Sequence, residues 1–322
     1  MNKEFQKKTI RAAARFALYF FVNIFRWLPL KLVQGANGVI IFIGYRLTRR
    51  HRRVAMESLE VALGKEKTPQ ELQRICKNCF ENLGRGMVEL MYFIEHPSLI
   101  KAHVSFEGLH HVEAALKEGK GIIGVTAHFG NFPLMLIRFA QEGYKTSAII
   151  RSTRDENIEK YFLATRARLG LNTIYSQPRT ECVNQSLKTL RNNELLFIPM
   201  DQNSGSKAGV FVDFFGQKAG TPTGPVVFAM RTGAPLLPVF TVRQQGAHHK
   251  VIIEPPFHLQ IGKDDQETIF INTARITKII ENYIRRYPQE WGWMHRRWKS
   301  RPKEETIDEA RKAQDDRHSS DV

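Results

Sequence analysis

The sequence predicts an α/β domain with a mixed, largely parallel central sheet flanked by helices, preceded by an N-terminal helical segment that associates with a membrane. Three observations carry this reading. From residue 121 onward, short apolar, β-favouring runs are separated by runs with helical patterning. Between residues 68 and 97 the apolar positions recur at three- and four-residue intervals, as in a long helix with one buried face. Near the N-terminus, two aromatic-rich stretches stand beside clusters of basic residues.

In chain order, Lys3, Lys7, Lys8, Arg11 and Arg15 precede a first apolar stretch over 16–30, which Asn23 and Arg26 interrupt. A second stretch over 38–45 runs into Arg46, Arg49, Arg50, Arg52 and Arg53. Aromatic residues next to an arginine cluster suit an interfacial anchor on an anionic leaflet, and a single tilted span over 12–29 is the competing reading. No small-residue cleavage site follows the first stretch, which argues against a cleaved signal peptide. In the helix over 68–97, Cys79, Leu83, Met87, Leu90 and Met91 face the core. Strands are expected over 121–127, 146–151, 195–200, 236–242 and 251–253, and helices over 132–141, 158–169, 181–191 and 225–232. The division is therefore an anchor over 1–55, a main domain over 56–302 and a polar tail over 303–322, where apolar residues become scarce.

Composition narrows the class further. Apolar residues make up 42% and charged residues 25%, which is globular and excludes wholesale disorder. Lys+Arg 48 against Asp+Glu 32 gives a formal charge of +16, so the expected partners are anionic: a phospholipid surface, a phosphorylated substrate, an acidic carrier protein or nucleic acid. Nucleic acid is set aside, because no binding module is recognisable and the N-terminus is apolar. Cys76 and Cys79 form a C-x-x-C on a helical pattern with no second ligand pair behind it, so a buried helix face is expected there and no metal site.

The candidate chemistry lies at the ends of the expected strands. His128 follows the strand over 121–127 and precedes a helix, a position from which a side chain meets a ligand in an open α/β sheet. In the turn after it, Gly130 tolerates an unusual backbone, Asn131 is expected to cap the helix, and Pro133 fits its first turn. A helix start beside the imidazole is expected to depress its pKa and keep it a neutral proton acceptor. Asp201 closes the strand over 195–200 and is placed to orient an imidazole or bind a hydroxyl, with Gln202 next to it. Arg151 ends another strand, and Arg166 and Arg168 sit on a helix; arginine forks suit phosphate and carboxylate groups. Residues 209–225, with Phe214 and Phe215, are expected to be a fixed loop lining an apolar cavity and then opening a helix at Pro225. Residues 288–299 place Trp291, Trp293 and Trp298 among cationic side chains, which suits a headgroup interface, cation–π packing inside a domain, or stacking on bases.

These clusters together resemble the lysophospholipid acyltransferase superfamily, and within it the Kdo-dependent late acyltransferases of lipid A biosynthesis. The resemblance covers 28–302, in matching order. It runs through His128-Phe129-Gly130-Asn131, Thr165-Arg166-Ala167-Arg168, Pro199, Asp201-Gln202 and Phe214-Phe215-Gly216. It continues at Arg231-Thr232-Gly233-Ala234-Pro235 and ends at Trp293-Met294-His295-Arg296-Arg297-Trp298-Lys299.

The resemblance implies a glycerolipid acyltransferase-like fold on the cytoplasmic face of the inner membrane. It implies acyl transfer from a thioester of an acidic acyl carrier protein or coenzyme A to a hydroxyl of a membrane lipid, foremost a lipid A precursor. No cofactor beyond that thioester cosubstrate is implied. His128 would be the general base, backbone N–H groups around Gly130 and Asn131, or else Arg166, would stabilise the oxyanion, and Arg151 with neighbouring cations would hold the acceptor's phosphate. The alternatives are another acceptor, such as a lysophospholipid, aminolipid or glycolipid, or a nonenzymatic membrane-binding relative. The family motif H-x-x-x-x-D/E keeps an acid five residues after the histidine, where this chain has Pro133. Asp201 is the expected replacement. A backbone carbonyl fixing the imidazole, or loss of activity, are the other readings of that proline.

Overall fold

The computed structural model describes residues 3–205 and 209–302, so the tail expected over 303–322 lies outside the described residues. Two helices, α1 (Lys3–Trp27) and α2 (Leu30–Leu47), meet at Pro29, and α3 (Arg49–Leu63) follows directly, so residue 55 falls inside a helix. Among the described residues no helix is long and apolar enough to cross a membrane. The long helix expected over 68–97 is α4 (Pro69–Glu95). It starts at Thr68, whose hydroxyl accepts from the Glu71 N–H while the Glu71 carboxylate accepts from the Thr68 N–H. Its inward face buries Cys76, Cys79, Phe80, Val88 and Phe93, whereas Leu83 and Met87, expected to face the core, are exposed. Cys79 donates its thiol to the Trp291 carbonyl at 3.0 Å, and all three cysteines are free and buried.

After a 3₁₀ turn at Pro97–Leu99 and α5 (Ile100–His103), the α/β alternation begins. The elements are β1 (Val104–Glu107), α6 (Leu109–Leu116), β2 (Ile122–Thr126), α7 (Phe132–Gln141), β3 (Thr146–Ile150), α8 (Glu156–Arg168), β4 (Leu171–Tyr175), α9 (Arg179–Arg191) and β5 (Leu195–Pro199). Then come β6 (Gly209–Phe214), β7 (Gln217–Pro222), α10 (Gly224–Thr232), β8 (Leu236–Arg243), β9 (His249–Ile253) and α11 (Asp265–Arg286). The main sheet has the order β1-β9-β8-β2-β5-β3-β4. Strands β8, β2, β5, β3 and β4 run parallel, while β9 is antiparallel to β8 and carries β1 parallel to itself. The sheet is thus mixed and largely parallel, as expected.

The central strands are buried on both faces, which explains their apolar sequences. Along β2 the side chains alternate between two cores: Ile123 and Val125 join Leu196, Ile198 and the faces of α3, α4 and α11, while Ile122 joins Phe197, Leu237 and α7. Gly124 is register partner to Phe197, and a Cβ on it would lie 2.4 Å from the Phe197 ring, so the strand needs glycine there. Register also aligns the carboxyl ends, with Thr126 opposite Pro199. The corners after β2 and β5 are therefore neighbours.

Three segments depart from the sequence reading. The loop expected over 209–222 is an antiparallel hairpin, β6–β7, and Phe214 and Phe215 are buried against Trp291, Trp298 and Trp293, where they line neither cavity beside His128. Aromatic burial on the tryptophans outcompetes an open loop. Strand β4 was not distinguished in the sequence because its alternation is broken by Asn172 and Thr173. Helix α11 carries Ile276, Ile280 and Ile284 on its buried face, but polar residues there, Asn272, Thr273 and Thr277, mask the stripe.

Candidate active site

The turn after β2 is clamped from behind. Phe129 is fully buried against Phe240, Tyr283 and Tyr287. Gly130 has φ +56°, and a Cβ on it would come within 1.9 Å of the Thr241 carbonyl oxygen of β8. Only glycine fits both constraints. The Gly130 N–H donates to the Glu290 carbonyl at 2.8 Å, and Gly292 N–H donates to the His128 carbonyl. Pro133 stands in the first turn of α7, as expected. Asn131 occupies the N-cap position without capping; its side-chain amide is buried and donates to the Gly86 carbonyl of α4 at 2.9 Å, which ties the turn to that helix.

This clamp aims the His128 ring at Asp201. Nδ1 of His128 donates to Oδ1 of Asp201 at 2.9 Å, and the backbone N–H of His128 donates to Oδ2 at 3.0 Å. The indole N–H of Trp291 donates to the same Oδ2 at 2.8 Å. Burial alone would raise the pKa of Asp201, yet the His128 charge and these hydrogen bonds hold it at about 2. The carboxylate is thus fixed as an acceptor, and Nε2 of His128 is left with its lone pair. The side-chain amide of Gln202 lies 3.1 Å from that Nε2.

The expected depression of the His128 pKa is not what the structure gives. Burial pushes it down, but the Asp201 charge and hydrogen bond outweigh burial and raise it above its usual value. A full carboxylate at 2.9 Å outweighs the fractional charge of a helix end.

The remaining expected residues divide. Arg151 is exposed at the end of β3 and lines the rim of a cavity. Arg166 lines the same cavity but spends its charge on Glu159 at 2.7 Å; Glu159 also accepts from the Thr153 N–H and the Tyr175 hydroxyl. The Gly130 N–H, expected to face an oxyanion, is engaged by Glu290.

Two cavities flank His128. The larger, about 580 Å³, lies among α7, α8 and strands β3, β4 and β5, with Leu136, Ile137, Ala148, Phe162, Leu169 and Phe197 in its wall. The smaller, about 170 Å³, lies among α4, the His128 turn and residues 289–295. Leu90, His128, Phe132 and Pro133 line both, so the imidazole stands at their junction.

Sequence reasoning missed three contributors to this site. Trp291, expected at a headgroup interface, in cation–π packing or stacked on bases, is fully buried as a donor to Asp201. Glu290 and His295 line the smaller cavity, with the His295 ring 5.3 Å from that of His128. Their separation from His128 by more than 160 residues leaves no local signal. Of the readings offered for the 288–299 cluster, packing inside the domain is the one realised at Trp291, Trp293 and Arg297: Arg297 is buried, lies over the Phe214 ring at 5.0 Å and donates to the Gly220 carbonyl.

A half-buried histidine bonded to a buried carboxylate thus stands at the carboxyl edge of an α/β sheet, beside a cavity of about 580 Å³ with a largely apolar wall. The chain belongs to the bacterial lipid A biosynthesis acyltransferase family, which it matches over residues 2–300, and is an O-acyltransferase. It is similar to the lipid A biosynthesis lauroyltransferase of Escherichia coli, 27% identical over 278 residues that cover 85% of this chain and 88% of that protein. The palmitoleoyltransferase of the same pathway in that organism is 26% identical over 282 residues, covering 84% and 88%. A phosphatidylinositol mannoside acyltransferase of Mycobacterium tuberculosis is 27% identical over 214 residues, covering 64% and 62%.

Proposed function

We propose that this acyltransferase moves a fatty acyl chain from a thioester of acyl carrier protein or coenzyme A to a hydroxyl of a lipid A precursor, with His128 as general base and Asp201 orienting it. The observation that carries the reading is the Nδ1–Asp201 hydrogen bond, which leaves Nε2 as the proton acceptor at the junction of two cavities. The acyl chain occupies the larger apolar cavity, and the acceptor approaches from the smaller one. Nε2 takes the proton of the acceptor hydroxyl as its oxygen attacks the thioester carbonyl. The C–S bond then breaks, and the leaving thiolate takes that proton back from the imidazolium. General-base help of this kind is worth on the order of 10²- to 10⁴-fold. The Gln202 amide holds the position that the hydroxyl takes, and then donates to the thioester oxygen. Arg151 at the rim offers a fork to a phosphate of either substrate.

The same reading places the protein on the cytoplasmic face of the inner membrane. Phe16, Trp27, Val39 and Leu47 on α1 and α2 are 73%, 83%, 64% and 80% exposed, and Arg46, Arg49, Arg50 and Arg53 are close by in the chain. Exposed aromatics with arginines suit an interface-lying anchor. A second acceptor class, a mannosylated phospholipid, is favoured by the name of the mycobacterial relative. The deciding assay supplies labelled acyl thioester with a lipid A precursor, a lysophospholipid or a phosphatidylinositol mannoside. Transfer to the first, abolished by His128→Ala, is the expected result; transfer that survives His128→Ala removes the general base.

A further inference from the structure

Glu290 is a buried carboxyl that the proton-transfer scheme does not use. It is 8% exposed and, among the described residues, is the only carboxyl that lines the smaller cavity. Asn82 of α4 donates its side-chain amide to Oε1 of Glu290 at 3.2 Å. The backbone of Glu290 has separate work, accepting from the Gly130 N–H and donating to the Tyr287 carbonyl. The side chain is therefore free of the clamp that shapes the His128 turn.

Its partners are neutral donors, the Asn82 amide and the backbone N–H of Arg243, and among the described residues no cation forms an ion pair with it. Arg243 of β8 lines the same cavity, but its two terminal nitrogens are claimed by Glu89 of α4 at 2.7 and 2.8 Å. Glu89 also binds His249 of β9. His128 is bound to Asp201, and burial together with the His128 charge holds His295 below its usual pKa. Burial pushes Glu290 up to about 7, with Arg243 opposing and Glu89 adding. A carboxylate offers about four lone-pair sites, so beside these two donors it has room for a further neutral donor that arrives with a ligand.

We propose that Glu290, held by Asn82, accepts a hydrogen bond from a second hydroxyl of the acyl acceptor, so that the smaller cavity selects a polyhydroxylated headgroup such as a sugar ring. The proposal rests on the reading of His128 as the base for an alcohol acceptor. It makes Glu290 a specificity residue for the acceptor, with no part in holding the acyl donor.

The test is steady-state kinetics of the full chain with an acyl carrier protein thioester as donor and, in parallel, a lipid A precursor and a phosphatidylinositol mannoside as acceptors. Glu290→Gln keeps shape and removes the charge. The acceptor KM is expected to rise about 10- to 100-fold, the worth of a hydrogen bond to a charged group, while the donor KM stays put. In the unaltered protein the acceptor KM falls as pH rises through about 7, where Glu290 ionises, and Glu290→Gln flattens that profile. Asn82→Leu, which frees the carboxyl, moves the acceptor KM in the same direction and carries the test if Glu290→Gln melts early. An acceptor KM that stays within about twofold in both variants overturns the proposal, as does an equal rise in both KM values. His128→Ala separates the two ideas. Loss of transfer there with a neutral Glu290→Gln sinks only this inference, whereas transfer that survives His128→Ala sinks the reading beneath it.

Discussion

His128 and Asp201 form a coupled pair whose two shifts run in opposite directions. Asp201 is held at about 2, so the stability it contributes is present above its unfolded value of 3.8 and is lost as pH falls through about 2. His128 is raised, so its contribution is full below 6.5 and is lost as pH rises through the folded value. In the proposed mechanism the neutral imidazole is the working form, and the acidic limb of the kcat profile is expected to have its midpoint above 6.5. Asp201→Asn leaves burial as the dominant influence, so that midpoint moves down while kcat falls on the order of 10²- to 10⁴-fold. A pH–rate profile of the variant that coincides with the parent would remove Asp201 from its orienting role. Glu290 has the reverse sign for a carboxyl: its folded pKa lies above 4.5, so the native state loses stability as pH rises from 4.5 through about 7. Glu290→Gln is expected to leave Tm unchanged near pH 4 and to raise it at pH 8; calorimetry at both values decides.

At the scale of elements, the turn between β2 and α7 holds the site because β8 and residues 288–292 close on its back. Gly130→Ala puts a Cβ against the Thr241 carbonyl at a positive φ, so urea unfolding is expected to show a loss of more than about 2 kcal/mol, with activity lost alongside. A variant as stable as the parent would mean that the turn relaxes freely. The glycine was legible as a turn residue, but the carbonyl that makes it obligatory belongs to a strand more than a hundred residues away. Arg297 was legible only as a cation in a Trp/Arg cluster, while in the fold it is bound to the Gly220 carbonyl and the Thr221 hydroxyl at the foot of the β6–β7 hairpin. Arg297→Met leaves those acceptors buried and unpaired, at a cost of roughly 3 kcal/mol readable by the same method.

Over the whole molecule, the proposed membrane anchor combines the charge of +16 with the exposed apolar side chains of α1 and α2. Replacing Phe16, Phe20 and Trp27 with Ser is expected to weaken sedimentation with anionic vesicles while leaving Tm unmoved, because these side chains are already exposed. A large drop in Tm would instead assign them to packing. The larger cavity runs between the sheet and α8, and Ala148 of β3 is a small residue in its wall. Ala148→Phe is expected to shift donor preference toward shorter acyl thioesters in direct competition, and unchanged preference would exclude that wall from chain binding.

The alternation of apolar strand runs and amphipathic helices determined the α/β class by itself, because burial periodicity is written locally in the chain. It also placed His128 and Asp201 at strand ends, since a strand's end is marked by the residues around it. What lay beyond it was the meeting of parts distant in sequence: that β2 and β5 pair in register so that the two corners touch, that Trp291 completes the carboxylate's partners, and that Glu290 and Asn82 face a second cavity across the imidazole. Those contacts are set by the order of strands in the sheet and by the packing of α4 and α11 against it. Such packing depends on the sum of many small burial terms over the whole molecule and leaves no trace in any one segment.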